Sequence, residues 1–462
     1  MTDDPTSPAE HAASPPVVAR ALRWFARGRC LVEDDSGATF LTEGAVPGER
    51  VRVERVETPR GRMGRVVEVL EPAVQRVVPL CPHAALCTGC SLLHVDRASE
   101  LALKAQTVRE VLDRWAQLPW SEPIPVLTDP RRGDHRVRHR ASVVRTDGDV
   151  RVGLRDLEGA IVHAPDCAIV FPAIRRVLRC VCDALRGQTT PLNATLEIRC
   201  GADGLAVLLE GIPSDELPAL RAALPTDATC VATRPDPRVP WEVVFGAWPR
   251  PIPVDGRAVA DSIDAWMQPA PAHASALYDW VASQVNPGER LLDATCGTGG
   301  LTLRLAESQS EVLGVDASWD AVQTAQRTAK LRGVGNAAFR GGRIQTVAPR
   351  LVAAGERFDT VLVNPMRVSL GVPTMDALLR LTRGRLLYLG PAPQAAAVDL
   401  RSLLDLGGHL QTIVAADLHP GTGAVMLCFV VAPAGARLPP EAEAAHSPTS
   451  PPSAPLDSRT RR

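Results

Sequence analysis

In "LLDATCGTGGLTLRLAE", residues 291–307, an apolar run breaks into a glycine cluster and a helical pattern follows at once. No other stretch restricts the fold as much. A buried strand that turns through Gly297, Gly299 and Gly300 into a helix belongs to a parallel sheet covered by helices. Glycines let the backbone turn tightly and come close to a ligand at the strand's carboxyl end. From residue 256 onward "EVLGVD", "FDTVLVNP", "RLLYLG", "LQTIVAADL" and "AVMLCFVV" are further apolar strand runs. Helical stretches at 301–307, 318–332 and 392–405 separate most of them. The pattern predicts an α/β, doubly wound, Rossmann-like domain over 256–434. The strand after the glycine loop ends in Asp316, at the spacing of about 20 residues where an acid can take two ribose hydroxyls.

The chain upstream has a different texture. Residues 17–73 alternate in short runs broken by turn signals at Asp35-Ser36-Gly37 and Pro47-Gly48, which predicts a small β-barrel. Barrels of this size often bind oligonucleotides. The stretch "RVRVERVETPRGRMGR" is rich in arginine and suits either a solvated strand face or an RNA surface. Residues 97–115 predict an amphipathic helix with Leu101, Ala105, Val108, Leu112 and Trp115 on its apolar face. Residues 74–255 form a central α+β unit without a nucleotide motif. Residues 1–16 and 435–462 are rich in Pro, Ser and Ala, lack a hydrophobic period and are expected to be disordered tails.

Composition excludes more than it identifies. Formal net charge is −1, so global charge makes no case for nucleic acid. Only Lys104 and Lys330 are lysines among 51 basic residues, which fits a codon bias toward arginine. No apolar run approaches the ~20 residues of a membrane span, and the acidic start lacks a signal-peptide core. A cytoplasmic, non-membrane protein is therefore expected, with no obligate protein partner inferred. In that compartment the eleven cysteines are thiols or metal ligands rather than disulfides.

Three of them, Cys81, Cys87 and Cys90, lie within "CPHAALCTGC". Such a turn can point three thiolates at one centre, and Cys167 in "VHAPDCAIV" is the best fourth. The two-residue step suits zinc or iron–sulfur, while the five-residue step is wide for a zinc knuckle.

The D-x-x-C-G-x-G loop that opens with Asp293 resembles that of S-adenosylmethionine methyltransferases. "RVVPLCPHAALCTGCSLLHVDRASELALKAQTVREVL" closely resembles the cluster segment of RNA 5-methyluridine (uracil-C5) methyltransferases, nearest to the cluster-bearing, large-subunit ribosomal RNA type. The likeness spans about residues 17–434. "AVPGERVRVERV" resembles the end of a TRAM domain, and "HRVRHRASVVR" resembles the central domain's arginine-rich strand. The resemblance implies a four-iron four-sulfur cluster on Cys81, Cys87, Cys90 and Cys167, with zinc the less favoured occupant. It implies S-adenosylmethionine near Gln268, Thr295, Gly297, Gly299, Asp316 and Asn364, and ribosomal or transfer RNA as partner.

The family's chemistry is covalent: a cysteine thiolate adds to uracil C6, C5 then attacks the sulfonium methyl, and a base removes the C5 proton. The family's S-C-N-P stretch reads "GPAP" here, with Pro391 at the nucleophile position. Its P-H-T-G-H-x-E reads "PGTGAVM", with Met426 at the position of the base. Its D-P-x-R reads Asn364-Pro365-Met366-Arg367. No residue is assigned as catalytic. The expectation is an RNA methyltransferase fold in which ordinary C5 chemistry lacks its residues. Two other readings stay open at this point: a non-catalytic RNA-binding relative, and a methyltransferase retargeted through Asn364-Pro365.

Overall fold

The computed structural model describes residues 15–25, 27–58, 61–247, 251–254, 256–264 and 268–435. The two expected tails therefore lie almost wholly outside the described residues.

Strands β1 (Val17–Phe25), β2 (Arg29–Asp34), β3 (Thr39–Glu43), β4 (Arg50–Thr58) and β5 (Gly61–Glu71) close into a barrel in the order β1-β2-β3-β5-β4. Alternation along each strand turns small residues inward, so Ala19, Ala21, Cys30, Val32, Val51 and Val53 form its core. The cysteine loop follows and runs into α1 (Arg97–Ala116), whose N-cap Asp96 accepts from the Ser99 N–H at 2.9 Å. A two-residue strand, β6 (Val126–Leu127), comes next.

The middle of the chain supplies β7 (Arg138–Thr146), β8 (Asp149–Arg155), β9 (Ile161–His163), α2 (Pro172–Leu185), β10 (Leu192–Gly201), β11 (Gly204–Glu210), α3 (Leu217–Ala223), β12 (Ala228–Arg234) and β13 (Glu242–Phe245). Its seven strands order as β13-β12-β11-β10-β7-β8-β9. The apolar stripe of α2, through Ile174, Val177, Leu178 and Val181, packs on that sheet. A hairpin of β14 (Pro251–Val254) and β15 (Arg257–Ala260) leads onward.

The C-terminal part runs α4 (Pro271–Ser283), β16 (Arg290–Asp293), α5 (Gly300–Leu305), β17 (Glu311–Asp316), α6 (Trp319–Leu331), β18 (Ala337–Gly341), α7 (Ile344–Ala353), β19 (Phe358–Val363), α8 (Val372–Leu381), β20 (Thr382–Gly390), α9 (Pro393–Asp405), β21 (His409–Ala416) and β22 (Met426–Ala432). Its sheet has the order β18-β17-β16-β19-β20-β22-β21-β6. The strands from β18 to β20 are mutually parallel, and β22 runs antiparallel to both its neighbours. Strand order reverses between β16 and β19, and a doubly wound sheet opens its ligand crevice at that point.

Two packing features depart from the sequence reading. First, β6 joins the C-terminal sheet beside β21, and α1 lays Val108, Val111, Leu112 and Ala116 into the same core. Residues 97–127 therefore complete a sheet that lies some 160 residues downstream in the chain. Second, the buried face of α1 is rotated from the predicted one. Glu100 and Lys104 are fully buried, while Trp115 is 44 % exposed. The charged pair is drawn inward because it completes a network. Lys104 Nζ donates to Glu100 Oε1 at 2.8 Å and lies 2.7 Å from Asp417, and the Gly421 N–H donates to Glu100 Oε1 at 2.7 Å. These bonds fix the loop just before β22. Among the described residues no helix is long and apolar enough to cross a membrane.

Candidate active site

The glycine loop begins where β16 ends. Asp293 is fully enclosed and accepts from Thr302 Oγ1 at 2.6 Å and from the Thr295 N–H at 3.2 Å. Burial without a cation pushes its carboxyl up to about 6, against the pull of those two hydrogen bonds. Its task is to tie the loop to α5. Gly297 and Gly299 have φ of +53° and +83°, the left-handed region that side chains resist. A Cβ on Gly299 would also stand 2.9 Å from the Ala325 Cβ, so α6 can pack against the loop only because the residue is glycine.

Asp316, at the end of β17, faces that loop. One carboxylate oxygen accepts from the Gly297 N–H at 2.9 Å and the other from the Ser318 N–H at 2.8 Å. Each oxygen keeps lone-pair capacity for a ligand hydroxyl. Thr295 reaches across the switch point, where its Oγ1 accepts from the Asn364 N–H at 2.7 Å. Thr295, Gly297, Gly299, Asp316 and Asn364 are thus joined in one hydrogen-bonded crevice. Gln268 stands apart from that set. It is 9 % exposed, and its Oε1 is buried with no partner. Its neighbour Pro269 accepts from the Val137 N–H at 2.8 Å, which places Gln268 at the seam with the central sheet. A buried acceptor without a partner is a group that a bound donor would satisfy.

The other half of the crevice lies beyond β19. Gly390, the last residue of β20, pairs with Leu427 on β22, so Pro391 follows the end of β20 where Met426 opens β22. Neither a proline ring nor a thioether can attack a carbon or take a proton. Nearby thiols do not replace them. Cys428 is completely buried in the core that also holds Met426, and burial raises its thiol to about 12. Cys296 lies in the glycine loop, and burial raises its thiol too. Asn364 is exposed, and Met366 and Val368 after it project into solvent.

The sequence reading missed two features here. Asp399 on α9 is wholly buried and accepts from Tyr388 Oη at 2.6 Å, Ser369 Oγ at 2.5 Å and the Leu370 N–H at 2.9 Å. It holds the loop after β19 in place; an acid inside the apolar helix "AAAVDLRSLL" was the available signal. Trp319 lies three residues past Asp316, is 64 % exposed, and its ring covers Gly341, where a Cβ would stand 3.0 Å from ring carbon Cε3.

Cys81, Cys87, Cys90 and Cys167 are brought together. Burial raises the Cys87, Cys90 and Cys167 thiols, Cys90 to about 12, and each also feels the charge of others in the group. The Gly89 N–H donates to Cys87 Sγ at 3.4 Å. Arg136, from the arginine-rich strand region, opposes the rise at Cys90 and Cys167. Among the described residues no three or more His, Cys, Asp or Glu side chains, these cysteines included, are placed to hold a metal ion.

A doubly wound sheet with a glycine loop and an acid on the next strand is the architecture of a site for a ribose-bearing cofactor. Residues 285–419 match the family described as "Methyltransferase domain". The chain is 27 % identical over 397 residues to the 23S rRNA (uracil(1939)-C(5))-methyltransferase RlmD of Vibrio parahaemolyticus, covering 83 % of this chain and 88 % of that protein. It is 28 % identical over 426 residues to the RlmD of Xanthomonas euvesicatoria, covering 86 % and 93 %. Among solved structures, the tRNA (uracil-54, C5)-methyltransferase of Pyrococcus abyssi with S-adenosyl-L-homocysteine shares the fold. Its TM-score is 0.69 at 21 % identity, over 90 % of this chain and 99 % of that one. Over most of its length the chain is thus similar to the family of RNA uracil-C5 methyltransferases.

Proposed function

We propose that the protein binds S-adenosylmethionine and ribosomal or transfer RNA as a member of this family, and that its own residues do not sustain ordinary methylation of uracil C5. The observation that supports the reading is the pairing of Gly390 with Leu427, which brings the end of β20, followed by Pro391, alongside the start of β22 at Met426, the two positions at which the resemblance implies a thiol and a carboxylate. In this reading Asp316 takes the cofactor's ribose hydroxyls, the Gly297–Gly299 backbone approaches its amino-acid end, and Gln268 Oε1 accepts from its ammonium. Asn364 closes the crevice beside the methyl group. Loss of the thiolate adduct removes the step that makes C5 nucleophilic, and losing a covalent route slows reaction by many orders of magnitude.

The four cysteines, three in the loop before α1 and Cys167 in the loop before α2, match in number the ligands of an iron–sulfur cluster. When bound, the cluster would supply a rigid, charge-bearing joint. Around it, the Gly89 N–H would hold the Cys87 sulfur and Arg136 would offset the thiolate charge. The N-terminal barrel is TRAM-like in this reading and the domains divide as 17–73, 74–255 and 256–434.

Calorimetry with S-adenosylmethionine tests the cofactor half; no heat at high micromolar concentration overturns it. Mass spectrometry of RNA nucleosides from cells with and without the gene tests the other half. A 5-methyluridine that disappears with the gene shows that Pro391 has been misread. A gene-dependent methylated exocyclic amine would point instead to Asn364.

A further inference from the structure

We propose that the exposed end of β1, at Leu22, Arg23, Phe25 and Arg27, holds an unpaired stretch of RNA, and that the arginine-rich β4–β5 face of the barrel does not. The inference rests on the reading of RNA as partner and assigns the surface that meets it.

The β4–β5 face looks basic in sequence but has little charge to offer. Arg52 pairs with Glu68 at 2.8 Å, Arg62 with Glu57 at 2.7 Å and Arg55 with Asp34 at 2.7 Å. Arg65 lies between Glu54 at 2.8 Å and Glu158 at 2.9 Å. Each guanidinium already has a carboxylate, so a phosphate there would have to displace it. That removes most of the counter-ion release that drives binding to a polyanion.

The end of β1 is built differently. A bulge between Ala21 and Arg23 shifts the phase of the strand. Beyond it Trp24 turns inward onto the cores of the barrel and the cysteine loop, and Arg23 and Phe25 turn out. Leu22 is 40 % exposed and Phe25 is 39 % exposed. The Arg23 guanidinium carbon lies 5.6 Å from the centroid of the Phe25 ring. Among the described residues no acid pairs with Arg23 or Arg27. Arg20 is left out, because Glu33 stands opposite it.

The patch is also held to a distant part of the chain. Arg27, with φ of +66°, bridges backbone-to-backbone with Gly423, and a Cβ on Gly423 would lie 2.1 Å from the Arg27 carbonyl carbon. Ser91 Oγ donates to the Arg27 carbonyl at 3.2 Å and accepts from the Gly423 N–H at 3.2 Å. The patch is thereby tied to the loop that leads into β22. Two cations without internal partners, beside an exposed ring, complement a polyanion whose bases present flat faces. Only unpaired bases are free to stack on such a ring.

The test uses the full chain and a fluorescently labelled, unpaired RNA of about 20 nucleotides, enough to span one barrel site and its surroundings, with anisotropy read over a salt series. Arg23→Ala with Phe25→Ala is expected to weaken binding about tenfold or more. Arg23→Gln with Arg27→Gln is expected to lower the slope of log K against log salt by about 1.4, or ~0.7 per lost phosphate contact. Arg52→Gln with Arg62→Gln should change affinity less than about twofold. Phe25→Leu keeps the apolar area without the ring, and an unchanged melting temperature separates stacking from fold. Wild-type binding with unaffected β1 variants overturns this inference alone, as does an equal fall in both variant pairs. A loss with unchanged salt slope also overturns it, since it would mark an apolar protein-binding face. Failure of the wild-type chain to bind RNA overturns the inference together with the functional reading beneath it.

Discussion

One sheet edge carries two halves of a crevice that have fared differently. At the ends of β16 and β17, Asp293 accepts from Thr295 and Thr302, and Asp316 accepts from Gly297, so both acids brace the glycine loop. A proline follows the end of β20, and a methionine opens β22 alongside it. The two halves share a core, and the scaffold behind the second half is intact: Asp399 still holds the loop after β19, and the Glu100–Lys104–Asp417 network still holds the loop before β22. The difference teaches that positioning and chemistry are separable here. The apparatus that places a base-proximal loop persists without the groups the loop would present.

The largest effect expected is on that scaffold. Lys104→Ala removes the one fully buried cation that Glu100 and Asp417 share, leaving Arg97 and Arg132 beside them, and should cost about 3 kcal/mol, readable by denaturant unfolding. A loss under about 1 kcal/mol would mean that the network does not hold the second half in place.

Next, Gly299→Val should weaken S-adenosylmethionine binding at least about 100-fold, near 3 kcal/mol. The side chain would sit in a left-handed backbone and against Ala325. Pro391→Cys with Met426→Glu should leave that affinity within about threefold, because neither position touches the hydrogen-bonded half. If both variants lose the cofactor alike, the two halves are not separable. If the double variant yields 5-methyluridine, only two side chains were missing from the second half.

The smallest effects are in pH. His94, His135 and His139 are buried and neutral, and burial lowers them to about 4, 3 and 4. A depressed histidine destabilises the fold as pH drops from about 6.5 toward the folded value, since the unfolded chain binds the proton first. Asp293 is raised to about 6, so its contribution is full below the unfolded value and is lost as pH rises through 6. Asp293→Asn should therefore remove a fall in stability between about pH 4 and 6, by on the order of 2 kcal/mol, and His139→Asn should remove a rise over about the same window. Thermal melts from pH 4 to 8 of the two variants would show the opposite signs. A common sign would mean that one of these groups is not enclosed as described.

Much of this was legible in the chain itself. The glycine loop, Asp316 and the strand runs placed the crevice before any coordinates, because turn chemistry and hydrophobic period are local properties. The helix at 97–115 was legible in extent but not in facing. Its sequence offered Trp115 as apolar and Lys104 as polar, and the fold buries the second and exposes the first. The barrel's arginines could not be sorted by sequence either, since Arg65 finds Glu158 from a strand connection of another sheet.

From the sequence alone came the identity of the missing groups: a proline and a methionine carry no thiolate or carboxylate in any conformation. Tertiary structure decided everything that depends on a partner distant in the chain: that the end of β20 lies alongside the start of β22, that the 81–90 loop and Cys167 lie within electrostatic reach of one another, and that among the described residues some arginines pair with carboxylates while Arg23 and Arg27 do not. The physical reason is that a charge or a thiol is defined by what surrounds it, and for these residues the surroundings are brought in by contacts between segments far apart in the chain.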